Sequence, residues 1–313
     1  MRPSIGVMMA EHIAVGLVEN HQLTGPVRVF PEAETGLLIE LPADQITLRL
    51  VEQIEAARAG REISAVGVGV PGIVRSGVIE DSPNLPQTKG HNLARTLGEM
   101  LSQRGLTVPV HIFNDADAMA AGIAATRGQL DRVVRVWWLG YGIGFGRYPQ
   151  GDGVWEGGHM VVTLDPKERF CACGGIGHLE GIMGHRAMRL RFLDLEPEEV
   201  FEQAQRGDKR CADFVELWHR ALAAATASSI HLDGPGKFYV SGLNARFVQT
   251  GTLGHYLYQM VKMSPLQGSQ VEVIATSDET AIIGAAVNAE RAISEAPQPS
   301  AFQVHADNAL PGN

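Results

Sequence analysis

EGGHM (156–160) and CACGGIGHLEG (171–181) decide how this chain is read. Between them they place two imidazoles and two thiols, His159, Cys171, Cys173 and His178, on a short glycine-rich segment that runs into Glu180. Zinc takes four soft or borderline ligands in a tetrahedron, and two nitrogens with two sulfurs satisfy it. Such a set leaves no open position, so a metal held here is structural. Cys-x-Cys is tighter than the more common Cys-x-x-Cys, and Gly174, Gly175 and Gly177 give the backbone room to wrap the ion. On spacing alone, the same four side chains read equally well as scattered polar residues of a loop.

Outside this segment the chain has the bulk of a two-domain globular protein: 313 residues, 45% hydrophobic, net charge −9. The acidic balance and the lack of a Lys/Arg run argue against a nucleic-acid partner and an anionic membrane surface. No apolar run reaches bilayer length. The amino terminus has neither the basic region nor the cleavage site of a secretory signal, so a cytoplasmic protein opening on a strand or hairpin is expected. Three cysteines make no disulfide framework.

Periodicity supplies the rest of the outline. Residues 4–18 and 26–40 read as strand pairs, and Ile46, Leu50, Val51 and Ile54 recur at helical spacing up to a stop at Gly60. AVGVGV (65–70) has the continuous apolar character of a buried strand and ends at Pro71-Gly72. A loop (82–90), a helix (92–104) and a strand (108–113) follow. Asn114-Asp115 then opens an Ala-rich helix, where either residue suits a cap. VVRVWWLGYGIGFGRY (133–148) reads as two strands meeting at glycines, with Trp137 and Trp138 as buried strand residues. Helices are expected over 183–193, 197–206, 209–231 and 278–292, and strands over 237–242 and 271–276. The polar tail, 293–313, reads as disordered. The rhythm predicts two α/β lobes, and no fixed-period repeat is present.

The stretch EGGHM…CACGGIGHLEG resembles the signature of the ROK family, in which Gly-Glu-x-Gly-His leads into Cys-x-Cys-Gly-x-x-Gly-Cys-x-Glu. Other motifs resemble the same family in the same order: VGVGVPGIV (66–74), SPNLP (82–86), FNDADAMAAG (113–122) beside the family's Asn-Asp-Ala-Asn-Ala, LGYGIGFG (139–146), and TSDETAIIGAA (276–286). The resemblance reaches to about residue 292. It implies a two-lobed α/β fold of the actin-like, RNase-H-like type found in sugar kinases. The lobes would be 1–113 with the last helix (about 280–292), and 114–279 carrying a zinc loop (159–178). It implies zinc ligands His159, Cys171, Cys173 and His178, the last standing where the family has Cys. It implies Asp115 as the base that takes a sugar hydroxyl's proton, with Asn84, Asn114, Glu156, His159 and Glu180 as sugar contacts. It also implies a hexose or amino-sugar substrate, MgATP as phosphoryl donor and a homodimer formed through the larger lobe, for which helix 216–231 offers an apolar face.

The nucleotide side departs from the family. Where the family opens on Asp-x-Gly-Gly-Thr, this chain reads Met8-Met9-Ala10-Glu11-His12, with no phosphate-cradling glycines. The family's Gly-Thr-Gly turn is Gly140-Tyr141-Gly142, and its later Gly-Gly-Gly is Ser241-Gly242-Leu243. Gly140, Tyr141, Gly142 and Gly242 are therefore the nucleotide-contact candidates. Three functions follow: an ATP-dependent hexose or N-acetylhexosamine kinase with an unusual phosphate cradle, a sugar-binding sensor or regulator that does not phosphorylate, and a nucleotide-independent enzyme acting on a sugar through two carboxylates.

Overall fold

A computed structural model describes residues 2–31, 38–151, 153 and 156–295. Strands β1 (Ser4–Met9), β2 (Ile13–Glu19), β3 (Gln22–Leu23) and β4 (Arg28–Phe30) come first, followed by helix α1 (Ala43–Arg58), β5 (Val66–Val70), the hairpin β6 (Ile73–Arg75) and β7 (Val78–Asp81), α2 (Leu93–Gln103) and β8 (Val110–Asn114). Helix α3 (Asp115–Thr126) leads to β9 (Val134–Leu139) and β10 (Ile143–Tyr148). Then come α4 (Leu179–Met183), α5 (His185–Arg191), α6 (Pro197–Gln205), α7 (Lys209–Asp233), β11 (Lys237–Ser241), α8 (Thr250–Met260), β12 (Gln270–Val273) and α9 (Asp278–Glu295).

Two sheets share one plan. In the first, of order β3-β2-β1-β5-β8, an antiparallel pairing of β1 with β2 is extended by parallel β5 and β8. In the second, of order β10-β9-β11-β12, an antiparallel β9–β10 hairpin is extended by parallel β11 and β12. This duplicated topology is the two-lobed actin-like, RNase-H-like fold of sugar kinases. Sequence similarity does not reveal the duplication, because hydrogen-bond order, and not side-chain identity, is what repeats. The parallel strands are apolar on both faces, as VGVGV shows: every residue of β5 is buried.

Helices α3 and α9 pack closely against each other, and α9 also lies on β1 and β5. Small residues permit the approach. A Cβ on Gly284 would stand 1.7 Å from the Ala118 carbonyl oxygen, and one on Gly122 would stand 1.8 Å from that of Thr280. Gly284→Ala must therefore push two backbones apart, and a loss of about 1–3 kcal/mol in urea unfolding is expected from overpacking of this kind. An unchanged midpoint would show that the α3–α9 contact is looser than described.

Side chains fix the helix starts. Asn92 caps α2, Asp208 caps α7 through the Cys211 amide at 2.8 Å, and Glu196 with Glu199 forms a capping box ahead of Pro197. Several boundaries differ from expectation. The expected helix 183–193 is two short helices separated at Gly184. Helix α8 escaped the periodicity reading because Gly251 and Gly254 interrupt its apolar stripe. In 26–40 only β4 and a 3-10 turn at Leu38–Glu40 are found; residues 32–37 lie outside those described. Helix α9 continues through Glu295, and residues 296–313 of the expected tail also lie outside. Helix α7 is a core helix: Leu222, Ala225 and Ile230 are buried beneath the second sheet. Trp137 is fully buried with its indole N–H donating to Thr226 Oγ1 at 3.1 Å, whereas Trp138 is half-buried.

Candidate active site and metal-binding loop

The parallel strands β1, β5 and β8 end on one edge of the first sheet, the side on which open α/β sheets bind ligands. Met8 pairs with Gly69, and Val70 pairs with Asn114 at the end of β8. There the chain turns into α3, and Asn114 is its cap: Oδ1 accepts from the amides of Ala116 (2.8 Å) and Asp117 (3.4 Å), while Nδ2 donates to the Gly72 carbonyl at 2.9 Å. These bonds commit most of the Asn114 side chain to holding the turn.

Asp115, the first residue of α3, is thereby aimed at the strand ends. Its Oδ1 accepts from the Ala116 amide at 2.9 Å. The residue keeps some accessible surface, yet protein surrounds the carboxyl, and this burial, helped by the negative charge of Glu156, pushes its pKa up to about 6. Glu156 is itself raised, by burial first and then by Glu180 and Asp81, with His159 opposing. Four carboxylates and an imidazole therefore feel one another here, although they come from four separate segments. Asn84 is exposed on the loop after β7, two residues beyond the buried Ser82, and makes no hydrogen bond to these carboxylates among the described residues.

The metal candidates do converge. One ligand atom from each of His159, Cys171, Cys173 and His178 lies within 4.8 Å of the others. Cys171 Sγ is 3.3 Å from Cys173 Sγ and 3.5 Å from His159 Nδ1, and Cys173 Sγ is 3.2 Å from His178 Nδ1. Two imidazoles and two thiols at this spacing are a donor set that fits zinc. Space is matched too: a Cβ on Gly175 would fall 2.0 Å from the His178 ring, so only glycine lets the ring in. His159 faces two ways. Its Nδ1 points into the cluster, and its Nε2 lies 3.9 Å from Glu156 Oε2. Glu180 is likewise shared, taking Cys171 Sγ at 3.4 Å on Oε1 and the Ile143 amide at 3.1 Å on Oε2. The loop thus holds two carboxylates, and the charge of one of them, Glu156, reaches Asp115.

The nucleotide candidates gather at the carboxyl ends of β9 and β11. Asn244 Nδ2 donates to the Gly140 carbonyl at 3.3 Å, and His185 Nδ1 meets Asn244 Oδ1 at 3.2 Å. Gly242 has φ +99°, a conformation that favours glycine, and its amide donates to Thr276 Oγ1 at 3.3 Å. Glu180 Oε2 would lie 2.6 Å from a Cβ on Gly142, so this turn packs directly against Glu180. Tyr141 stands 67% exposed with its edge toward the His185 ring. In the first lobe, the Met8 sulfur fills the space where a Cβ on Gly69 would stand. The β1–β2 turn is closed by His12 Nε2 and Asp278 Oδ2 at 2.7 Å, an ion pair that raises the pKa of His12 and lowers that of Asp278. Sequence reading missed this pair, which joins positions 266 residues apart. It also missed Asp117 and Asp81, whose setting appears only once the strands are assembled.

A glucokinase of Pyrobaculum calidifontis is 30% identical over 252 residues, covering 75% of this chain and 82% of the relative. A glucokinase of Thermotoga maritima is 28% identical over 293 residues, covering 83% and 89%. The crystal structure of a ROK hexokinase from Thermus thermophilus superposes with a TM-score of 0.76 at 25% identity, over 93% of this chain and 99% of that one. The ROK family model matches residues 39–292, and the chain belongs to the ROK family.

Proposed function

We propose that this protein is a sugar kinase that transfers a phosphoryl group from ATP to a hexose or amino sugar, with Asp115 as general base. The observation that carries this reading is Asp115 at the capped start of α3 within reach of the charge of Glu156, which in turn faces His159 and feels Glu180. A sugar hydroxyl has a pKa far above neutrality and is a weak nucleophile. Asp115 accepts its proton as the oxygen–phosphorus bond forms, while the carboxylates of Glu156 and Glu180 accept hydrogen bonds from neighbouring hydroxyls. Asn84, Asn114 and the Nε2 of His159 complete the sugar contacts. Zinc held by His159, Cys171, Cys173 and His178 would supply rigidity and no chemistry, fixing the loop that aims Glu156 and Glu180. The turn 140–142 and Gly242 would face the nucleotide. Met8 offers no ligand to a metal-bound water. A homodimer, a cytoplasmic setting and the absence of a nucleic-acid partner belong to the same proposal; no described helix is long and apolar enough to cross a membrane.

The raised pKa of Asp115 has a direct consequence. The base must be ionised to act, and protonation removes it as pH falls through about 6. The expected kcat profile is flat above neutrality and declines about tenfold per pH unit on the acid side. A profile flat down to pH 4.5 would exclude Asp115 as the base.

The contact between His12 and Asp278, together with Met8 at the end of β1, favours a second reading, in which the protein binds sugar as a sensor or regulator and transfers nothing. Calorimetry separates the two. A kinase binds MgATP in the presence of sugar, whereas the sensor binds sugar with no response to MgATP.

A further inference from the structure

Among the described residues only two acids are buried, Asp117 and Glu168. Glu168 is the less expected of the two. It lies between His159 and Cys171 in the loop that carries the metal candidates, where residues 164–167 and 169 are all exposed. A carboxylate withdrawn from water needs a partner. That partner is Arg191, the last residue of α5. Its Nη1 donates to Glu168 Oε1 at 3.0 Å and its Nη2 donates to Oε2, a two-pronged pair. The same Nη2 reaches the Gly181 carbonyl at 3.5 Å. The guanidinium also stands 4.3 Å from the ring centre of Phe170 and 5.3 Å from that of Phe214 on α7.

One side chain therefore grips the chain just ahead of Cys171, at Glu168 and Phe170, and just after Glu180, at Gly181. The backbone closes the same junction. The Glu168 carbonyl accepts from the Gly177 amide at 2.7 Å, and a Cβ on Gly181 would stand 2.9 Å from the Cys171 nitrogen. None of these contacts uses a side-chain atom of His159, Cys171, Cys173 or His178, so none of them needs a metal to form.

We propose that Arg191 is a positioning residue for the metal site: paired with Glu168 and bonded to the Gly181 carbonyl, it fixes both ends of the ligand segment against α5, so that zinc has only the tip between them to order. This rests on the reading of His159, Cys171, Cys173 and His178 as zinc ligands. Closing a loop costs conformational entropy that grows with the length left free. A segment already pinned at 168–170 and at 181 has lost part of that entropy before the ion arrives, and the saving appears as metal affinity. The ligand tip, with the carboxylates of Glu156 and Glu180 that it steers, still depends on the metal.

The test is the double variant Glu168→Gln/Arg191→Met in the full-length protein. Methionine keeps an unbranched stem between the two rings, and changing both partners leaves no unpaired buried charge. Zinc affinity is read by competition with a chromophoric chelator, and amide exchange is followed by mass spectrometry in metal-stripped protein. The affinity is expected to fall by about tenfold or more, the lower bound for removing support around metal ligands. Exchange over residues 169–181 should quicken in the stripped variant relative to stripped wild type, with β1 and β5 exchanging at the wild-type rate. Unchanged zinc affinity or unchanged exchange over 169–181 overturns the proposal. So does faster exchange spread over both lobes, which a merely structural ion pair would give. Should the double variant not fold, Arg191→Lys decides, since it keeps the charge and loses the two-pronged geometry: a smaller fall in zinc affinity is expected, and none overturns the proposal. Wild-type protein that binds no zinc would overturn the metal reading and this inference together, whereas equal zinc binding by wild type and variant would overturn this inference alone.

Discussion

Asp115→Asn is expected to lower kcat by about 10²–10⁴-fold, the usual worth of a positioned general base, while the dissociation constant for sugar changes by no more than about threefold. The asymmetry follows from the geometry. Asn retains the oxygen that accepts from the Ala116 amide, and the cap of α3 is made by Asn114, so the local fold survives the change. Only the ability to take a proton is lost. Substrate contacts assigned to Glu156, His159 and Glu180 come from other segments and remain. A fall in affinity matching the fall in kcat would instead place Asp115 among the binding groups.

Cys173→Ser is expected to release the metal and weaken sugar binding by about 10–100-fold, the range seen when groups supporting a site are removed. Cys173 is exposed, so the substitution opens no core cavity. Its effect must travel through the loop. His159 touches the cluster on Nδ1 and Glu156 on Nε2, and Glu180 shares Cys171 with the cluster and the Ile143 amide with β10. Loss of the metal frees both carboxylates together. Metal content per chain, measured beside sugar calorimetry, checks this: retained metal, or full affinity without it, would contradict the role given to the loop.

Much of this site was legible in the sequence because its parts are local. The metal ligands fall within twenty residues, and Asn114-Asp115 announces a capped helix behind an apolar strand. Spacing announced the helix cap but left the metal set even with a plain polar loop until the resemblance to the ROK signature favoured zinc, and the structure brings the four side chains together. What stayed hidden depends on assembly. The pairing of His12 with Asp278 needs α9 to return beside β1. The setting of Asp117 needs β10 to lie against α3, and in a linear reading the residue is one more acid at a helix start. The duplicated sheet plan lies in strand order, and periodicity carries no strand order. Short elements were also missed: the β6–β7 hairpin has strands of three and four residues, too short for an alternating pattern to declare itself.

The departures from the family's phosphate motifs fall in both lobes: Met8 against Gly69 and the His12–Asp278 pair at the first sheet, and the exposed Tyr141 after β9 of the second, whereas the four metal candidates come together. Under the proposed function, phosphoryl transfer persists despite these departures. The most direct measurement is phosphorus NMR of purified protein incubated with MgATP across a panel of hexoses and N-acetylhexosamines, with Asp115→Asn in parallel. A new sugar-phosphate ester resonance is expected for at least one sugar, present with the wild type and lost with the variant. Sugar binding by calorimetry with no ester formed from any member of the panel would contradict it.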